Sequence, residues 1–265
     1  MNNDIEVKNK SLGKALIVLD CFADSQSELG ITELSEMLGL YKSNVHNLVS
    51  TLETMGYLEK NLNSGKYFLS MKFLKFSHSA LNHFSFRRLC LPYLTSLCNE
   101  LNEHIALSVP VDLEILYLDS LYPVSRPEQT LKLGSTLPLH CTSEGKVMMA
   151  FAPGDLYNQL LSKKKLIAYT SNTITDPVEL KKKVEETKQL GYNIARMEYT
   201  FTNVSIAIPL NNSKGEFMAV LTCAGPAQHF TDDRCQFFLE RMRHVAADIS
   251  EVDRLTSGVH YDYSE

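Results

Sequence analysis

The sequence predicts an α/β chain of the α+β kind in two domains: a small helical domain closed by a hairpin, then a larger domain built on a mostly antiparallel sheet. Three observations carry this. Residues 11–56 hold three amphipathic stretches at helical period, separated by short breaks. Residues 56–70 alternate and turn at Asn63-Ser64-Gly65, a hairpin signal. From residue 104 onward, short strand-like runs joined by turns are intermixed with capped helices. The 265 residues suffice for two ordinary domains.

The first stretch, SLGKALIVLDCFAD, places Leu12, Ala15, Leu16, Leu19 and Phe22 on one helical stripe. A second helix over 31–38 has Thr32 as its expected N-cap and Gly39 as its stop. A third over 42–55 buries Val45, Leu48, Val49 and Leu52, spaced i, i+3, i+4, i+7. Its other face carries Ser43, Asn44, His46, Asn47, Ser50 and Thr51, short hydrogen-bonding groups that suit base edges and phosphates in a major groove. Helix, helix-turn-helix and hairpin in that order make a winged helix-turn-helix over 10–70, after a loose tail at 1–9. A connecting helix over 71–83, within a linker at 71–87, carries Phe73, Phe76, Ala80 and Phe84. These either pack on a second subunit or close the core of their own domain.

A longer helix is expected over 89–102, with Pro92 in its first turn. Residues 104–121 read as two strands around Val111-Asp112-Leu113, and 130–133 as a short strand. A helix follows from about Cys141-Thr142 to Pro153, then a short one over 155–162. Asp176 caps a periodic helix over 177–190, with Pro177 at its first position and Gly191 as its stop. Strands over 192–197, 203–210 and 216–224 precede a final helix over 231–255, and a frayed tail closes the chain at 257–265. The second domain thus spans 88–256.

Composition bounds the function. Hydrophobic residues at 44% and charged residues at 22% are globular values. No apolar run approaches the ~20 residues of a membrane span, and the start has no apolar signal core, so a cytoplasmic protein is expected. Six scattered cysteines without CxxC spacing are expected as free, buried thiols, and the eight histidines show no metal-ligand spacing. No cofactor or metal is expected. Residues 1–75 carry eight Lys, no Arg and nine acids. That balance is unusual for a DNA-binding domain, since phosphate neutralisation dominates affinity. Lys42 at the head of the third helix, with Lys60 and Lys66 beside the hairpin turn, lie where phosphates would be met. Modest affinity per domain points to binding as a homodimer or homotetramer.

Five segments in order resemble the isocitrate lyase regulator (IclR) family of bacterial transcription factors: SLGKALIVLDCF, LGLYKSNVHNLVSTLETMGYLEK, LKLGSTLPLHCTSEGKVMMAF, GYNIARMEYTFTNVSIAIPL and VLTCAGP. The resemblance spans about residues 10–255. It implies a C-terminal GAF-like domain that binds a small organic acid, palindromic operators, and control of carbon-source genes, with repression ahead of activation. The chain departs from the family pattern at Asn44 and Asn47, where Thr and Arg are usual, and at Ala195, Thr202, Ser205, Thr222, Ala224, Ser143 and Glu144 in the second domain.

On that resemblance the DNA-binding residues are Lys42, Ser43, Asn44, His46, Asn47, Ser50, Lys60 and Lys66. Asn47 in place of Arg would read adenine. The effector is expected between the head of the helix after residue 142 and the last strands. Thr142, Ser143, Glu144 and Gly145 would supply helix N-terminal donors, and Ser205, Thr222 and Cys223 hydroxyl and thiol contacts. Arg196 is either a carboxylate clamp pointing inward or a solvent-facing edge residue. Glu144 would repel an anion unless paired, or would bind the hydroxyls of a sugar acid. Lys146 is either a surface residue or the partner of an acid. Two other readings stay open: a winged-helix interaction module without specific DNA binding, and a thiol-dependent hydrolase using Cys141 beside His140. Against the hydrolase, the chain has no GxSxG, HExxH, P-loop or GxGxxG segment.

Overall fold

The computed structural model describes residues 8–25, 27–126, 131 and 133–256, and these form two compact units that divide between Phe84 and Ser85. Residues 1–7 of the expected tail at 1–9, and the expected tail at 257–265, lie outside the described residues. No described helix is long and apolar enough to cross a membrane.

In the first unit, α1 (Lys10–Ser25), α2 (Ile31–Leu38) and α3 (Lys42–Thr54) precede β1 (Leu58–Lys60), β2 (Tyr67–Leu69) and α4 (Phe73–His83). β1 and β2 pair antiparallel across the expected turn, with Gly65 at φ 70°. Val18, Cys21 and Phe22 of α1 meet Leu34, Val45, Val49, Leu52, Leu58 and Tyr67 in one core. The α1 stripe is therefore rotated from the expected one: Leu12 and Leu16 are exposed, because the first turns run beyond the core. The α2 cap also moves. Leu29 bridges to Tyr67 and fixes the chain up to residue 29. Gly30 then becomes the N-cap, its N–H donating to Glu33 Oε2 at 2.6 Å, while Thr32 lies inside the helix. Gly39 ends α2 in the left-handed region, as expected. Of the α4 aromatics, Phe73 and Phe76 stack against Tyr57 of their own unit, with centroids 5.8 and 6.0 Å away.

The second unit holds α5 (Ser85–Leu101), β3 (His104–Val111), β4 (Glu114–Leu121), β5 (Thr136–Pro138), α6 (Ser143–Phe151), α7 (Leu156–Lys163), α8 (Pro177–Leu190), β6 (Asn193–Arg196), β7 (Asn203–Asn211), β8 (Phe217–Pro226) and α9 (Asp232–Thr256). Six strands form one antiparallel sheet in the order β5-β4-β3-β8-β7-β6. One face packs under α6, with α8 against that helix; Ala106, Ile115, Tyr117, Ala207 and Val220 meet Val147, Met148, Leu180 and Val184. The other face carries Ile105, Cys223 and Ile206 in register beneath α5 and α9.

Two expectations here are corrected. α5 begins about two turns before Pro92, because Phe86, Cys90, Leu94 and Leu97 form a continuous buried stripe. Pro92 lies on the exposed side, where water can solvate the carbonyl that its missing N–H leaves open. The short strand expected at 130–133 falls partly outside the described residues. Leu131 and Leu133 are not in a strand, and the edge strand is β5, paired to β4 through Ile115↔Leu137. The β3–β4 turn places Asp112 and Leu113 at positive φ without a glycine. Leu113 tolerates this conformation because its side chain is buried with Ile115, Leu139 and Leu160.

His104 opens β3, stacks on Tyr122 at 4.1 Å and shares a 2.8 Å hydrogen bond with Ser120 Oγ. Burial pushes its pKa down to about 4. The unfolded chain takes up this proton near the ordinary value of 6.5, whereas the folded one refuses it until about pH 4. Its contribution is thus intact above pH 6.5 and is lost as pH falls toward 4. Chemical denaturation of His104→Gln against the parent should show a shallower loss between these limits, by about 3 kcal/mol at most. Parallel curves would place the acid sensitivity elsewhere.

Candidate functional site

Burial of Val45, Val49 and Leu52 fixes the rotation of α3. Lys42, Ser43, Asn44, His46 and Asn47 consequently face outward, and Ser50 is half-buried at the margin. Among the described residues, the five outward side chains make no hydrogen bond to the rest of the protein, so their donors and acceptors are open to an outside partner. The hairpin behind α3 is differently disposed. Lys66 Nζ, expected free for a phosphate, pairs with Glu33 Oε1 at 2.6 Å. Glu28 accepts from Asn61 Nδ2 at 2.6 Å and Ser64 Oγ at 2.7 Å, and so ties down the turn. Those bonds hold both carboxyls below their ordinary range. Lys60 Nζ lies 5.4 Å from the Tyr67 ring centroid.

In the second unit, the sheet beneath α6 is paved with small side chains: the register rows Ala195–Ser205–Ala224 and Ala207–Thr222–Ala106 run across β6, β7, β8 and β3. Polar groups border them. Ser143 Oγ is 2.7 Å from Ser205 Oγ and donates to Glu144 Oε2 at 3.0 Å, and Tyr117 Oη donates to Glu144 Oε1 at 2.7 Å. Glu144 is nearly fully buried. Ser108 Oγ, Thr222 Oγ1 and Asn193 Oδ1 are buried on this face without a partner among the described residues. Buried polar atoms are seldom left so, which makes this face a candidate place for a polar ligand or ordered water.

Of the expected effector residues, Ser143, Glu144, Ser205 and Thr222 come together here and four do not. Thr142 is the α6 N-cap; its Oγ1 accepts the Gly145 N–H at 3.1 Å and donates to Pro138 O at 3.2 Å, so both residues are engaged in the cap. Gly145 is there for clearance, since a Cβ would overlap the backbone of Leu139. Cys223 alternates with Thr222 and faces α5 and α9. Arg196 turns to the α9 side, where it donates to Phe230 O at 3.1 Å and to Asp232 Oδ1 at 2.7 Å, so it is no inward clamp. Sequence reading missed Tyr117, Ser108 and Asn193. Period-2 alternation puts them on one face of their strands, but only strand order shows that this face is the one under α6.

Lys146 has no exposed surface, and its Nζ meets Glu198 Oε2 at 2.6 Å, joining α6 to the segment after β6. Of the two sequence readings, it is the partner of an acid. Cys141 is buried, and burial pushes its thiol up to about 12, while His140 Nε2 is engaged with Ile167 O at 2.9 Å. A thiol at that pKa is no nucleophile near neutrality. All six cysteines are free and buried, as expected. No cluster of three or more metal-ligating side chains occurs among the described residues.

Residues 78–251 match the model of the bacterial transcriptional regulator IclR C-terminal domain, and residues 11–62 match the IclR helix-turn-helix domain. The chain belongs to the IclR family. The HTH-type transcriptional regulator KipR of Bacillus subtilis is 28% identical over 92% of this chain and 96% of its own length. The transcriptional repressor IclR of Escherichia coli is 26% identical over 91% and 89%. Among solved structures, an IclR-type regulator from Silicibacter shares the fold at a TM-score of 0.81 and 21% identity, covering 92% of this chain and 96% of that one. An IclR homologue from Microbacterium hydrocarbonoxydans, complexed with 4-hydroxybenzoate, does so at 0.77 and 24%, covering 93% and 100%. The protein is accordingly a transcriptional regulator with an N-terminal helix-turn-helix DNA-binding domain and a C-terminal effector-binding domain. Its family and relatives are regulators rather than enzymes.

Three stability outcomes are expected for this IclR-type domain. Glu198→Gln strands a buried ammonium and should cost about 3–5 kcal/mol by thermal or urea unfolding. The Lys146→Met/Glu198→Leu double variant should lose much less than the two single losses combined. Gly145→Ala should destabilise by more than about 3 kcal/mol or prevent folding. A wild-type melting temperature in either single variant would contradict the packing described.

Proposed function

We propose that this regulator binds operator DNA by laying α3 in the major groove, as a homodimer or homotetramer on a palindromic site, and that a small organic effector held between α6 and the sheet changes its occupancy of that site. The observation that carries the reading is the outward face of α3. Lys42 and Ser43 at its head suit a phosphate, Asn44, His46 and Asn47 suit base edges, and Ser50 borders the contact. Lys60 would meet a flanking phosphate, and Lys66 would do so only on leaving Glu33. We adopt residues 10–70 as the DNA-binding unit, 71–87 as the linker and 88–256 as the effector unit, with function in the cytoplasm.

Exposed apolar residues support an oligomer: Leu12, Leu16 and Ile17 on α1, and Leu74 on α4, are exposed among the described residues. The 4-hydroxybenzoate complex of the Microbacterium homologue supports a small organic effector. The effector must bind the two DNA-domain arrangements of the oligomer unequally, or it shifts nothing. Repression of a carbon-source operon is the sign we propose, as in the relatives named as a transcriptional repressor and an acetate operon repressor.

A footprint on the DNA upstream of the protein's own gene tests this. Protection of a palindrome is expected, and Asn47→Ala should weaken specific binding by about 5–150-fold while leaving non-specific binding unchanged. The near-neutral hairpin favours one rival, a winged-helix module that binds protein instead. Absence of any protected site, with the oligomer intact, would establish that rival.

A further inference from the structure

We infer that the site beneath α6 takes an uncharged, polyhydroxylated ligand of the sugar or polyol class rather than an organic anion. The inference rests on the reading of this face as the effector site. Glu144 places a carboxylate inside it. Its two oxygens each accept one protein hydroxyl, from Tyr117 and Ser143, and each retains capacity for a further donor. It can receive ligand hydroxyls but offers nothing to a ligand carboxylate, whose charge would sit beside its own in a low-dielectric interior.

The cations that would offset a second negative charge are committed elsewhere. Lys146 is bonded to Glu198, and Arg196 is bonded to Asp232 on the far side of the sheet. What the face does offer is hydroxyl and amide chemistry: Thr222 Oγ1, Ser108 Oγ and Asn193 Oδ1, all buried and without a protein partner among the described residues. Ser108 is the register neighbour of Tyr117, and Thr222 lies between Ala106 and Ala207. Separate hydrogen-bonding groups on the same sheet face as one carboxylate match a ligand with several hydroxyls. A cationic ligand is not required to balance Glu144, because two hydroxyl donors and the α6 N-terminus, where the residue lies, already stabilise its charge.

The test is isothermal titration of the full-length protein against matched sets: neutral pentoses, hexoses and linear polyols, their aldonic acids, and the corresponding amino sugars. A neutral compound should bind, with its acid at least tenfold weaker. Glu144→Ala should weaken the neutral ligand at least tenfold and narrow the gap to the acid. If that variant does not fold, Glu144→Gln, which keeps the shape and removes the charge, should bring the acid to within threefold of the neutral compound. An acid or amino sugar that binds wild-type protein as tightly as the neutral compound overturns the inference, as does a set with no neutral binder. Ser205→Val separates the two readings. If an acid binds and this variant weakens it, the site stands and the ligand class falls. If a ligand binds and neither the Glu144 nor the Ser205 variants alter its affinity, the site itself is wrong.

Discussion

The Lys146 ammonium has no exposed surface and sits 2.6 Å from Glu198, inside a unit whose other buried contacts beneath α6 are largely methyl groups and hydroxyls. Burial lowers its pKa, and Glu198 opposes that shift by both charge and hydrogen bonding. Such a pair adds little net stability, yet it tolerates almost no displacement, because loss of the contact leaves a bare charge in the interior. It holds α6 at one height and one rotation over the sheet. Gly145 sets the same height from the other side by letting the helix meet the Leu139 backbone. With these two constraints in place, Ser143 reaches Ser205 across the gap and Glu144 reaches Tyr117.

The proposed ligand site thus lies between a helix and a sheet rather than in a cleft between loops. Its floor is a patch of a six-stranded sheet, with neighbouring strands fixing each residue in register. Its roof is one helix, clamped by an ion pair and capped by Thr142. A ligand here would contact the floor and roof together, so any change in their separation reports its presence.

Much of the fold was legible in the sequence because local chemistry decides it. Asp176, Pro177 and Gly191 delimit α8, and Asn63-Ser64-Gly65 marks the hairpin turn that Glu28 then ties down. Misreadings arose where tertiary contacts overrule local signals. Thr32 is a good cap by type, but the Leu29–Tyr67 bridge starts the helix earlier. Pro92 reads as a helix start, but the buried stripe from Phe86 onward carries the helix past it. At the candidate site, the family resemblance pointed to Ser143, Glu144, Ser205 and Thr222. It could not show that Arg196 and Cys223 face α9, nor that Tyr117 crosses to Glu144, because sheet order is a long-range property.

The hairpin behind α3 carries its own counter-charges: Glu33 holds Lys66, and Glu28 holds the turn through Asn61 and Ser64. Each lysine that meets a phosphate releases counterions, and that release makes DNA affinity fall as salt rises, with a slope of about 0.9 per contact. With Lys66 paired to Glu33, the wing's share of that slope falls mainly to Lys60. On this reading Lys42 and Lys60 still release counterions, so operator affinity would fall as salt rises, and the hydrogen bonds of α3 would supply the part of occupancy that the ionic strength around the DNA leaves untouched.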